Sequence, residues 1–151
     1  MVSIARIAEL VAEIEDRIPF NRYLGLTDFR IEDGIAYLRL GMRDELVGNF
    51  DRATLHGGVI SSTFDVIGGV AALFGVAERR LPDSDEETLA VFENLATIDL
   101  RVDYLRPGVG DWYEASAKVL RAGKRVVVTR MTLQSSEGVE VAVGTGTYIV
   151  S

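Results

Sequence analysis

Along residues 3–17 the apolar positions recur at helical spacing: Ile4, Ile7, Leu10, Val11 and Ile14 share one face. Ser3 stands where an N-cap belongs, and Pro19 ends the segment. The pattern predicts two strands next, 24–31 and 34–42, hinged at Asp33-Gly34. Residues 43–55 read as a polar connection. From 57 to 78 the period returns to that of a helix. Ile60, Phe64, Ile67, Ala71 and Phe74 form an apolar stripe, and Ser61, Asp65, Gly68, Gly69 and Ala72 a second stripe of small residues with one acid in it. Glycines cost a helix roughly 1 kcal/mol each relative to alanine, so several together suggest that another backbone comes close. Leu81 to Thr88 reads as a mobile acidic loop.

The last third alternates. Thr97, Asp99, Arg101 and Asp103 fall between Ile98, Leu100, Val102 and Tyr104, a period of two that predicts a strand. Pro107-Gly108 breaks it. Further strands are expected near 112–121, 124–134 and 139–150, turning at Ala122-Gly123 and Glu137-Gly138. Gly144 and Gly146 share a face, where strand and helix backbones would approach. No repeat, linker or second domain is visible, so 1–151 reads as one domain with an N-terminal amphipathic helix over 1–19. The class is α+β: about five antiparallel strands curved around one long helix. Such a sheet leaves a face and an edge uncovered, which predicts pairing with a second copy.

Composition narrows the picture further. Lys and Arg number 16 against 23 Asp and Glu, for a net charge of −7, which argues against a nucleic-acid partner. No apolar run approaches the roughly 20 residues that cross a bilayer. Glu9, Glu13, Glu15 and Asp16 interrupt the N-terminal segment, unlike a signal peptide. The absence of cysteine favours the cytoplasm and excludes thiolate metal sites.

Candidate chemistry concentrates in one stretch. The only histidine, His56, precedes Gly57-Gly58 at the start of the long helix, and Asp65 follows nine residues later. Unpaired N–H groups at a helix start, with the dipole behind them, can polarise a carbonyl. A carboxylate within an apolar run is costly unless it is bonded or used. Arg121, Lys124 and Arg125 flank the Gly123 turn and Arg106 follows another strand; in an acidic chain these are the candidates for a phosphate-bearing ligand. Nucleophile-elbow, phosphate-loop and dinucleotide fingerprints are absent.

The run Leu55-His56-Gly57-Gly58 with Asp65 downstream resembles the helix motif of hotdog-fold acyl-CoA thioesterases of the phenylacetate-pathway (PaaI-like) type. Residues 96–107 resemble the strand that follows in those enzymes, Ala122-Gly123-Lys124-Arg125 their next hairpin, and residues 144–148 their last strand. Val47-Gly48-Asn49 and Gly68-Gly69 resemble most the branch acting on medium- and long-chain acyl-CoAs. The resemblance implies a hotdog fold, hydrolysis of an acyl-CoA without metal or cofactor, and Asp65 as general base or nucleophile. It further implies Gly57 N–H as carbonyl polariser, Thr97 from a neighbouring subunit positioning water, and His56 orienting the loop. Gly58, Arg106, Arg121, Gly123, Lys124 and Arg125 would hold substrate or its CoA end. Asn49 matches the family asparagine one position out of place, with Phe50 in its usual spot. Assembly as a homodimer, or a dimer of dimers, is implied as well. Two rivals stay open: a hydroxyacyl-thioester dehydratase and a non-catalytic acyl-CoA-binding module.

Overall fold

A computed structural model describes residues 1–150. The chain runs α1 (Ile4–Glu15), α2 (Pro19–Leu24), β1 (Leu26–Glu32), β2 (Ile35–Gly41), a single 3₁₀ turn (Asp44–Leu46), β3 (Val47–Asn49) and β4 (Thr54–Leu55). It continues with α3 (Gly57–Arg79), α4 (Asp85–Glu93), β5 (Ala96–Tyr104), β6 (Trp112–Ala122), β7 (Val126–Ser135) and β8 (Glu140–Ile149). Six strands form one antiparallel sheet in the order β1-β2-β6-β7-β8-β5, and β3 and β4 pair by themselves. These six strands are the six segments read from the sequence, one more than the summary count of about five, and the polar connection is an ordered two-stranded ribbon. β1 and β5 are its free edges.

Helix α3 lies across the concave face. All five residues of its apolar stripe, Ile60, Phe64, Ile67, Ala71 and Phe74, are buried, each fully buried large side chain contributing about 1.5–3 kcal/mol. At 23 residues, α3 is long and apolar enough to cross a membrane by composition, contrary to the reading that no such run exists. Its most apolar window is 67% buried within the protein, as befits a core helix.

The second stripe meets a side chain, not a backbone. A Cβ at Gly68 would overlap Tyr148 Oη, and one at Gly146 would stand 2.6 Å from the same ring. Gly144 likewise clears the Phe64 ring, where a Cβ would stand at 2.7 Å. The expected close approach of helix and strand is therefore filled by two aromatic rings.

Two helices were not expected. Pro19 starts α2 instead of only ending α1, and Gly25, at φ 77°, caps its C-terminus in the left-handed region. The acidic segment is not a loop throughout: Ser84 Oγ accepts from Glu87 N–H, Glu87 reaches back to Asp83 N–H, and α4 follows. Arg6 ties α4 to α1 through Asp85 at 3.0 Å.

Candidate active site

His56 is the N-cap of α3. Its Nδ1 accepts from the Gly58 N–H at 2.8 Å, which leaves Nε2 as the donor nitrogen of an exposed residue. The ring rests on Gly48 of β3, where a Cβ would come within 3.2 Å of ring carbon Cδ2. The cap occupies the Gly58 amide, which is thus unavailable to a substrate. The Gly57 amide, first in the helix, has no intrahelical acceptor. Tyr104, at the end of β5, donates its hydroxyl to the Gly57 carbonyl at 3.1 Å.

Asp65 lies two turns on, half-buried. Thr97 Oγ1 donates to its Oδ1 at 2.7 Å, within the same chain. This corrects the expectation that the threonine comes from a neighbouring subunit. The reason is a slip in the β5–β8 ladder between Thr97 and Asp99. Asp99, Arg101 and Asp103 pair with Thr147, Thr145 and Val143 on the outer face, whereas Thr97 pairs with the buried Tyr148 and so turns inward. Tyr148 in turn donates to the Asp65 backbone carbonyl at 3.1 Å. Burial pushes the Tyr148 phenol well above its ordinary range, and the Asp65 charge pushes it the same way, so it stays a donor.

Asn49 Oδ1 accepts from the Asp51 and Arg52 N–H groups and shapes the β3–β4 turn. That turn leaves Phe50 88% exposed, while Phe64 and Phe74 belong to the core. The basic residues divide into two places. Arg106 donates to the Glu140 carbonyl at the helix-start end of β5. Arg121, Gly123, Lys124 and Arg125 line a groove of 290 Å³ on the β6–β7 hairpin. Arg79, the last residue of α3, donates to Ala122 of that hairpin. Within one chain, therefore, the hairpin lies a whole helix length, about 33 Å, from Gly57. The sequence offered no warning of Tyr104 and Tyr148 as neighbours of the site; their bonds depend on how α3 sits on the sheet.

The thioesterase superfamily pattern matches residues 53–142, from just before His56 to β8. The chain belongs to the thioesterase superfamily. It is 41% identical over 133 residues to the medium/long-chain acyl-CoA thioesterase YigI of Salmonella typhimurium, covering 88% of this chain and 86% of that protein. YigI of Escherichia coli is equally similar, at 41% over 133 residues. A thioesterase-superfamily crystal structure from Shewanella oneidensis superposes with a TM-score of 0.91 at 41% identity, covering 98% of this chain and 97% of that one. The PaaI protein of Escherichia coli, at 21% identity, TM-score 0.74 and coverage of 99% and 96%, shares the fold. The architecture is the hotdog fold of this superfamily: a curved antiparallel sheet around one long helix.

Proposed function

We propose that this protein hydrolyses acyl-CoA thioesters to free acid and CoA, with medium- and long-chain acyl groups as the substrate class, in line with its YigI relatives. The observation that carries the mechanism is the Thr97–Asp65 hydrogen bond. It fixes one carboxylate oxygen and leaves Oδ2 to act as base. Asp65 takes a proton from water as the hydroxyl oxygen attacks the thioester carbon. The Gly57 N–H stabilises the oxyanion with the α3 dipole behind it. Collapse expels the CoA sulfur, which recovers the proton from Asp65. A thioester needs no metal for this, and the step uses water alone.

We infer that the two halves of this machinery meet between two chains. Gly57 and Asp65 are eight residues apart on α3, about 12 Å, while reacting atoms must stand about 3–3.5 Å apart. The halves lie towards opposite ends of edge strand β5, Asp65 with Thr97 and Gly57 with Tyr104. β5 carries exposed apolar side chains, with Ile98 58% and Tyr104 56% exposed. Antiparallel pairing of β5 with its counterpart in a second copy brings the Thr97 end of one against the Tyr104 end of the other. We therefore assign a homodimer as the active unit, with dimers of dimers as the larger assembly. The hairpin groove at Arg121, Lys124 and Arg125 supplies charge for the phosphates, and Arg106 adds to it at the other end of the site.

The test is thiol release over an acyl-CoA panel. Asp65→Ala is expected to lower kcat at least ~100-fold, the scale of losing an oxyanion donor, with an unchanged melting temperature. Wild-type turnover in that variant, or a fully active monomer in sedimentation, refutes the mechanism. Enoyl absorbance from a hydroxyacyl-CoA without thiol release would select a dehydratase, and CoA binding without turnover a binding module.

A further inference from the structure

We propose that Tyr148 and Tyr104 are positioning residues of the hydrolytic site, each fixing through its hydroxyl the backbone carbonyl of the α3 residue that carries the chemistry. The inference rests on the reading of Asp65 and Gly57 given above. Tyr148 Oη donates to the Asp65 carbonyl at 3.1 Å, and Tyr104 Oη to the Gly57 carbonyl at 3.1 Å. Neither bond is needed by the helix, whose carbonyls at those positions face amides four residues on. Both land on the two residues the reaction uses.

Tyr148 and Thr97 are direct partners across the β5–β8 ladder. One cross-strand pair therefore holds Asp65 twice, at its carbonyl and at its carboxylate. Gly68 supports this reading, because the helix lacks a side chain just where the Tyr148 hydroxyl passes, and Thr129 Oγ1 would stand 3.0 Å from a Cβ at that same point. Tyr104 lays its ring on Gly57, 3.3 Å from where a Cβ would be. Two attachments about 12 Å apart on a rigid rod set both its roll and its slide. A small roll of α3 would carry the Asp65 side chain off Thr97, and a slide would move the Gly57 amide along the edge strand.

The experiment measures kcat, KM and melting temperature by thiol release and thermal unfolding for Tyr148→Phe, Tyr104→Phe, Thr97→Val and the double variant Tyr148→Phe/Thr97→Val. Phenylalanine keeps both rings in place. Tyr148→Phe is expected to lower kcat by about tenfold, the scale of one hydrogen bond, with KM within about twofold. Because both residues act on one carboxylate, the double variant should be little slower than the worse single. A kcat within twofold of wild type in Tyr148→Phe, or effects on kcat that multiply with Thr97→Val, overturns the proposal. Tyr104→Phe should lower kcat a few-fold. Loss of its hydroxyl spares the core, and sedimentation of this variant checks that the dimer is kept, so it decides alone if Tyr148→Phe does not fold: unchanged kcat there also overturns the proposal. Asp65→Asn run alongside separates the two levels. Its wild-type turnover would sink the reading of the site itself, whereas its inactivity with a normal Tyr148→Phe would sink only the tyrosines.

Discussion

Glu15, the last residue of α1, is 5% exposed and has Asn21 Nδ2 at 2.7 Å from Oε2 as its hydrogen-bond partner. Burial pushes its carboxyl from the ordinary 4.5 up to about 7, against the pull of the Asn21 bond, with Asp16 adding to the rise. The folded state therefore prefers the protonated form. That preference stabilises the fold fully below the unfolded value near 4.5, and the stabilisation is lost as pH rises through about 7. The interval corresponds to about 3 kcal/mol, taking roughly 1.4 kcal/mol per pH decade. Glu15→Gln keeps an oxygen for Asn21 and has no charge to bury. The stability of Glu15→Gln relative to wild type should therefore climb by up to about 3 kcal/mol in its favour between pH 4.5 and pH 8.5. Urea unfolding of both proteins at a series of pH values measures this, with equal m-values as the check that the unfolded states match. A difference that stays flat across that range, or that moves in favour of wild type at high pH, refutes the reasoning.

Gly144→Ala would press a Cβ to 2.7 Å from the Phe64 ring and 2.9 Å from the Arg101 carbonyl. It should cost about 1–3 kcal/mol, seen as a lower urea midpoint. His56→Ala removes the cap on Gly58 and should lower stability by about 1 kcal/mol; His56→Asn, which can cap, should recover most of that in the same unfolding assay. Replacing Lys124 and Arg125 together by alanine should raise KM for acyl-CoA several-fold at low salt with kcat held, and the difference should shrink as ionic strength rises; an unchanged KM would remove the hairpin from the substrate path.

The long helix, its buried stripe and the hairpins were legible because their signals are local. The two-residue turn at Asp33-Gly34, both at positive φ, is a case in point. Helices α2 and α4 had local signals too: Pro19 with Gly25, and the Ser84-x-x-Glu87 box. They are short, and the acidic run masked the second. Thr97 is a different matter. Strict alternation groups it with Asp99, Arg101 and Asp103, away from the helix, and only the register of β5 against β8 reveals that it turns the other way. The tyrosines belong to the same class, since a bond between residues 83 positions apart leaves no mark on either neighbourhood.

The ladder slip at Ile98 divides β5 into two parts with separate obligations. From Asp99 onward the strand keeps sheet register; before it, one residue serves the carboxylate. Pairing Ile98 with Tyr148 would give an unbroken ladder and carry Thr97 to the outer face opposite Ile149, whereas deleting Ile98 would leave Thr97 opposite Tyr148, so what dismantles the site is a change of register and not the loss of a residue. Register, more than residue identity, guards this strand: many of its side chains could be exchanged, provided that the residue opposite Tyr148 still bonds Asp65.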